Sequence, residues 1–178
     1  MPTYIALLRG INVSGQKIIK MVDLKAHFEK GGCTAVQTYI QSGNVVFQHS
    51  EADIVALRKH IEAHLNQCLG YFVPTLLRTH SELAEAVASN PYPTDWPEFG
   101  KKMYVCFFES APSEAGIEAI RPYTNEDEKL EVRGMHGYAY YSVGLGKSKL
   151  TNSIIERKLG MATMRNWNTV NTLVEMSK

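Results

Sequence analysis

The chain has few cysteines, no long apolar run and almost no net charge, and each shortage excludes a class of protein. Its three cysteines are odd in number and widely spaced, so they form neither a disulfide framework nor a C-x-x-C metal-binding pair. No apolar run approaches the roughly 20 residues that cross a bilayer. The first residues pass straight into an apolar β pattern and lack the features of a secretory signal. These shortages predict a cytoplasmic protein with no cofactor, no bound metal and no membrane association.

The net charge of +1 conceals an uneven distribution along the chain. Residues 1–30 carry five basic and two acidic side chains, and residues 145–178 carry six and two, whereas the segment between them is acidic. Both basic segments contain glycine loops, so they would form a positive patch if they meet in space. Such a patch attracts anionic ligands through its field. We therefore expect an anionic small molecule or a nucleic acid as the partner.

The most informative stretch is the loop from Arg9 to Lys20, which lies between an apolar β run and a helical pattern. Its two glycines allow tight turns and the close approach of a bound group, and its asparagine tolerates a left-handed backbone. Its basic side chains place positive charge beside backbone amides, which suits an anion. The alternative is a long turn whose basic residues face water. The predicted ligand-binding residues of this loop are Arg9, Gly10, Asn12, Gly15 and Lys17.

A second basic glycine loop, Gly144–Lys149, precedes a helical pattern late in the chain. Part of it resembles a phosphate-binding P-loop, but Tyr141 stands where that motif has its first glycine. Free amides and the helix dipole at a helix start still attract a phosphate or carboxylate. We therefore predict Lys147, Ser148 and Lys149 as further anion-binding residues, with a plain solvated helix start as the alternative.

Hydrophobic periodicity divides the chain into two halves with the same order of elements, namely strand, helix, strand, strand, helix and strand. This is the order of the ferredoxin-like split βαβ topology. We predict an α+β fold of two tandem ferredoxin-like halves, 1–78 and 101–178, whose sheets contain antiparallel pairs. A C-terminal helix ends the second half, and a helix with a proline-rich linker, 79–100, joins the two halves.

This interpretation makes the first and third strands of each half parallel neighbours, so that their carboxyl ends share one edge of the sheet. The Arg9–Lys20 loop is then expected beside Gln48-His49-Ser50, and Glu109–Pro112 is expected beside the second basic loop. The Ser42-Gly43 turn is expected at the opposite edge and therefore outside the pocket.

The helix predicted from Ile54 onwards carries two histidines, His60 and His64, at a spacing that fits a metal pair. The acidic residue between them is one place too late for the H-E-x-x-H pattern, so we favour histidines at the boundary of the apolar face and predict no metal site. Cys68 extends the apolar stripe of this helix and is expected to be buried as a small hydrophobe.

Several stretches carry a family resemblance: Arg9–Val13, Thr38–Phe47, Glu156–Gly160 and Arg165–Thr169. They resemble the bacterial DUF1697 family over nearly the whole chain. The family usually has two glycines where this chain has Ser14-Gly15, and this departure weakens any claim that position 14 needs a positive φ. The resemblance implies a tandem ferredoxin-like α+β protein, with a homodimer as one form, and it implies no reaction.

The sequence thus favours an uncharacterised soluble bacterial protein that binds an anionic or phosphate-bearing ligand, either a nucleotide or a nucleic acid. Two alternatives from other classes stay open. The first is an enzyme of unknown reaction that uses the Arg9–Lys20 loop. The second is a structural homodimer without a ligand.

Overall fold

The computed structural model describes residues 1–178 and divides them into two compact units. Unit 1 comprises Met1–Leu83 and Leu173–Lys178, and unit 2 comprises Ala84–Thr172. The first six elements are β1 (Thr3–Leu8), α1 (Met21–Lys30), β2 (Thr34–Tyr39), β3 (Asn44–Gln48), α2 (Ile54–Leu69) and β4 (Thr75–Thr79). They are followed by α3 (His80–Ala88), α4 (Phe99–Lys102), β5 (Met103–Phe108), α5 (Glu114–Ile120), β6 (Glu128–Arg133), β7 (His136–Tyr141), α6 (Asn152–Leu159), β8 (Ala162–Asn166) and α7 (Trp167–Met176).

Local sequence signals set the helix ends. Asp53 caps α2 by accepting hydrogen bonds from two amides of its first turn, and Gly70 ends the helix in the left-handed conformation. Thr79 and Glu82 form the predicted capping box of α3, because each side chain accepts a hydrogen bond from the amide of the other residue. No helix combines the length and the apolar character that crossing a bilayer requires.

The sheet of unit 1 has the strand order β2-β3-β1-β4, and every neighbouring pair is antiparallel. Alternate residues of β1, Tyr4, Ala6 and Leu8, belong to the same buried core as Leu24 of α1 and Leu57 of α2. Strand side chains alternate between the two faces of a sheet, so this set identifies the face that the helices cover. β1 therefore lies at the centre of the unit, and the loop that follows it begins at a strand that is paired on both sides.

The prediction that the first and third strands run parallel is wrong. β1 pairs with β3 in antiparallel register, with Thr3 opposite Gln48 and Leu7 opposite Asn44. The crossover through α1 makes β1 and β2 point the same way, and the tight turn after β2 then reverses the chain into β3. The carboxyl end of β1 therefore meets the amino end of β3.

This strand direction also overturns the predicted neighbours of the first loop. The Arg9–Lys20 loop does not lie beside Gln48-His49-Ser50, which follows the other end of β3. It lies beside the Ser42-Gly43 turn, and the amide of Leu8 donates a hydrogen bond to the Gly43 carbonyl at 2.9 Å. The turn that the sequence argument excluded from the site is thus part of it.

Unit 2 repeats this arrangement with the strand order β6-β7-β5-β8, again antiparallel throughout. Phe107 of β5 faces His136 of β7, so the end of β5 meets the start of β7. The amide of Phe108 accordingly donates to the Met135 carbonyl at 3.1 Å. The expectation that Glu109–Pro112 lies beside the second basic loop is wrong for the same reason as in unit 1.

The proline-rich segment between α3 and β5 packs its rings within unit 2. Tyr92 stacks on Trp96 with ring centroids 5.5 Å apart, and Trp96 lies 4.7 Å from the ring of Tyr140 on β7. Phe99 meets Trp167 edge to face at 5.4 Å. Aromatic pairs at these distances stabilise a segment beyond the apolar area that they bury.

All three cysteines are free thiols, but they do not share one environment. Burial raises the pKa of Cys33 to about 11 and the pKa of Cys106 to about 12. Cys68 is exposed, so the prediction that it is buried is wrong. The apolar stripe of α2 advances by four residues at each turn and therefore ends at Leu69, which packs against the core, one position beyond the cysteine.

Candidate functional site

Three segments meet at one end of the sheet in unit 1: residues 9–20, 39–44 and 70–75. The amide of Arg9 donates to the Pro74 carbonyl at 2.9 Å, which ties the first segment to the third. Together the three segments contain Arg9, Lys17 and Lys20 and no aspartate or glutamate. We call this region the cationic end of unit 1. A local excess of one charge attracts ligands of the opposite charge.

Asn12 fixes the loop in place. Its side-chain nitrogen donates to the carbonyls of Ile19 and Gln41 at 3.0 and 2.8 Å, and its side-chain oxygen accepts from the Ile19 amide at 2.8 Å. Its own φ of 52° lies in the left-handed region, which asparagine tolerates better than most residues. One side chain therefore closes the loop on itself and joins it to the turn between β2 and β3.

The tip of the loop is a tight turn from Val13 to Gln16, closed by a hydrogen bond of 2.9 Å from the Gln16 amide to the Val13 carbonyl. Its two central residues, Ser14 and Gly15, have φ values of 50° and 73°. Positive φ at both central positions is the mark of a type I′ turn. Position 14 thus has a positive φ although this chain lacks the family's glycine there, and the serine adopts a conformation that glycine would take more easily.

Left-handed residues recur along the loop. Gly10, Asn12 and Lys17 have positive φ, whereas the intervening Ile11 does not. Alternation of backbone hand turns successive amides toward one side and makes a concavity that binds anions. The amides of Gly10, Ser14, Gly15 and Lys17 donate no hydrogen bond within the chain, so they remain available to a ligand.

The two basic residues predicted in the loop have different surroundings. The ammonium of Lys17 lies 3.1 Å from the Phe72 carbonyl and 5.6 Å from the centroid of the Tyr71 ring. This carbonyl uses one of the three donors of the ammonium, so two remain for a ligand. Arg9 is half-buried at the point where the loop leaves β1. Apart from the neighbouring aromatic residues Tyr71 and Phe72, the sequence contained no signal for the contacts of Lys17.

The turn between β2 and β3 contributes residues that the sequence argument missed. A side chain at Gly43 would place its Cβ 2.6 Å from Cδ1 of Ile11, so only glycine fits beneath the loop. Ile40, a β-branched residue, has a φ of 50°, which is an outlier for its type. Correct strand directions would have identified this turn, because an antiparallel third strand must begin where the first strand ends.

The second predicted loop belongs to unit 2. Lys147 and Lys149 are exposed, whereas the hydroxyl of Ser148 accepts a hydrogen bond from the Leu150 amide at 2.9 Å. The amide of Lys149 donates to the carboxylate of Glu128 at 3.1 Å, and that glutamate is only 6% exposed. An anion at this loop would therefore compete with a carboxylate of the protein itself. The three residues stay a prediction, separate from the cationic end of unit 1.

The two histidines of α2 make structural contacts. His60 donates from Nε2 to the Gly31 carbonyl at 2.8 Å, and His64 donates from Nε2 to the His27 carbonyl at 3.0 Å. Their rings stack with centroids 6.4 Å apart. Both side chains therefore attach α2 to the end of α1, as expected for histidines at the boundary of an apolar face.

This chain matches a protein family by sequence and a solved structure by fold. The family model described as "Protein of unknown function (DUF1697)" matches residues 1–138. None of the curated proteins matches the chain. Among solved structures, the conserved bacterial protein SP0830 from Streptococcus pneumoniae is similar over 99% of each chain, with 20% sequence identity and a TM-score of 0.73. At that identity the likeness concerns the fold alone. The family match spans more than half of the chain, so this protein belongs to the DUF1697 family.

Proposed function

We propose that the protein is a binding module for an anionic ligand, held at the loop of residues 9–20 through a phosphate or a carboxylate. The observation that supports this most directly is the run of left-handed residues that leaves four amides without a partner in the chain. Such amides carry positive partial charge and suit an anion. The three cations of the three segments outnumber the one carboxylate that contacts them, that of Glu62 on the Thr75 amide, and so add a favourable field.

Preorganisation also favours binding at this loop. Asn12 makes three hydrogen bonds that hold the loop in one conformation, so little entropy is lost when a ligand arrives. Left-handed non-glycine residues cost stability, and such strain concentrates at functional sites. The loop contains three of them, Asn12, Ser14 and Lys17.

Calorimetric titration with inorganic phosphate, pyrophosphate, a nucleoside triphosphate and citrate tests the proposal. We expect at least one of these anions to bind, and Arg9→Ala to weaken it by about 1.5–3 kcal/mol, the scale of a charged hydrogen bond. Arg9→Lys should restore only part of the loss, because an ammonium lacks the two-pronged geometry of a guanidinium. Lys17→Ala should weaken binding as well.

A matched control is Lys59→Ala, which removes an exposed lysine of α2 outside the three segments. This variant should bind like the unmodified protein. A melting temperature lowered by Arg9→Ala with unchanged affinity would show that Arg9 only locks the loop. Turnover of a bound anion would favour the enzyme alternative, and a homodimer that binds no anion would favour the structural alternative.

The same proposal includes two finer points of architecture and location. We assign both units to the ferredoxin-like topology, a choice supported by the element order and by strand orders that are equivalent in the two sheets. We place the protein in the cytoplasm, where thiols stay reduced, because its three cysteines are free and distant from one another in sequence.

A further inference from the structure

We infer that the cationic end of unit 1 docks an acidic protein segment that also carries bulky apolar side chains. This inference rests on the proposed function, because it names carboxylates of a polypeptide as the anion that the loop binds. It adds a second requirement, namely that the partner brings apolar side chains to the same surface.

The apolar part of the surface lies on the three segments themselves. Ile18 is 72% exposed and Phe72 is 53% exposed, and Val13 and Ile40 are exposed as well. An apolar group of this kind on a soluble protein, surrounded by polar residues, marks an interaction site more often than a scatter of single side chains does. Since Lys17 contacts the backbone of Phe72, charge and apolar surface adjoin each other.

A groove next to these residues can receive a side chain of the partner. It has a volume of about 410 Å³ and runs from Ile18 along α1. Ala26 and Leu69 give it apolar walls, and the two lysines of its lining, Lys20 and Lys30, outnumber its one carboxylate, that of Asp23. An apolar residue flanked by carboxylates matches both properties of the groove.

Charge complementarity selects an acidic polypeptide over a nucleic acid. The region has three cations, whereas a protein that binds nucleic acid tightly makes on the order of 6–10 phosphate contacts. Of the four exposed apolar side chains of these segments, Phe72 has a ring that can stack on a base, whereas Ile18, Val13 and Ile40 are aliphatic and cannot. Aliphatic surface beside positive charge suits an acidic amphipathic segment, whose charges also guide it to the site.

Selection from a library of random short peptides displayed on phage, with the full chain as bait, tests the inference. We expect the enriched peptides to contain both acidic and bulky apolar residues. A synthetic copy of the best peptide should bind about tenfold more weakly to Ile18→Ser and to Phe72→Ser, since truncation of a central apolar contact costs at least this much. Both positions are exposed, so these variants should fold normally.

Val55→Ser is the matched control, because Val55 is as exposed as Phe72 but lies on the first turn of α2, at the other end of the unit. It should bind the peptide like the unmodified protein. No enrichment, enrichment of neutral or basic peptides, or equal binding by Ile18→Ser would overturn the inference. So would an RNA oligonucleotide that binds the same site more tightly than the peptide does.

The same variants separate this inference from the proposed function. Phe72→Ser, whose position lies outside the loop of residues 9–20, should leave the affinity for inorganic phosphate unchanged, whereas Lys17→Ala should weaken both phosphate and peptide. If Lys17→Ala weakens phosphate but no acidic apolar peptide binds, the docking inference fails and the anion site stands. If peptides bind through Ile18 without any need for acidic residues, the docking inference fails, and the anion site fails with it only if phosphate does not bind either.

Discussion

Gly43→Ala should be among the most destabilising single substitutions in unit 1. Its φ of 82° lies in the left-handed region, where an L side chain costs about 1–2 kcal/mol. The added Cβ would also lie 2.6 Å from Cδ1 of Ile11 and 3.0 Å from Cβ of Leu8. Both neighbours are about 1% exposed, so neither can move into solvent. Overpacking of this kind costs about 1–3 kcal/mol, and the sum is a loss of about 2–5 kcal/mol.

Gly15→Ala supplies a control with nearly the same backbone and no contact. Gly15 has a φ of 73°, and a Cβ added there meets nothing within 4 Å. It should therefore cost only the backbone term of about 1–2 kcal/mol. Urea denaturation followed by circular dichroism measures both variants, and this signal is preferable to tryptophan fluorescence because both tryptophans lie in unit 2.

A double-mutant cycle identifies the atom that is responsible. Ile11→Val removes Cδ1, the atom nearest to the added Cβ. Such a truncation in a core usually costs about 0.5–1.5 kcal/mol. In the Gly43→Ala background it should cost less, because it also relieves the clash with the added Cβ. Equal losses for Gly43→Ala and Gly15→Ala, or strict additivity in the cycle, would refute the view that the loop packs rigidly on the turn.

Four further predictions concern the loop and the thiols. Asn12→Ala should lower the free energy of unfolding by about 2–4 kcal/mol in urea denaturation, because three hydrogen bonds are lost and their partners are left unpaired. Asn12→Asp keeps only the acceptor, so its free energy of unfolding should lie between those of the unmodified protein and Asn12→Ala. Ser14→Gly should raise the melting temperature, with a gain of up to about 1 kcal/mol, because it removes left-handed strain at an exposed site. A destabilised Ser14→Gly would contradict the turn geometry. In the folded protein a thiol reagent should label Cys68 alone, and labelling of Cys33 before unfolding would contradict its burial. The raised pKa of Cys33 stabilises the fold fully below the ordinary thiol value of 9.0, and this stability should be lost as the pH rises toward about 11, a loss that Cys33→Ala should reduce.

The sequence by itself determined the kinds of elements and most of their limits. The apolar run of β1, the capping pair Thr79 and Glu82 and the glycine after α2 each act over a few neighbouring residues, so a linear pattern contains the relevant physics. The same holds for the choice of Arg9–Lys20 as the place to look, since glycines, asparagine and cations are all visible in the chain. The stripe of α2 shows the limit of this method, because an error of one position separates partly buried Leu69 from exposed Cys68.

Only the tertiary structure decided what surrounds the loop. Antiparallel pairing of β1 with β3 brings Gln41 and Gly43 to Asn12 and Ile11, and the hydrogen bond of Lys17 brings in Phe72. Asn12 and Gln41 lie 29 residues apart in the chain, and Lys17 and Phe72 lie 55 residues apart. Contacts across such separations depend on the direction and order of strands, which follow from burying the whole core at once rather than from any local preference.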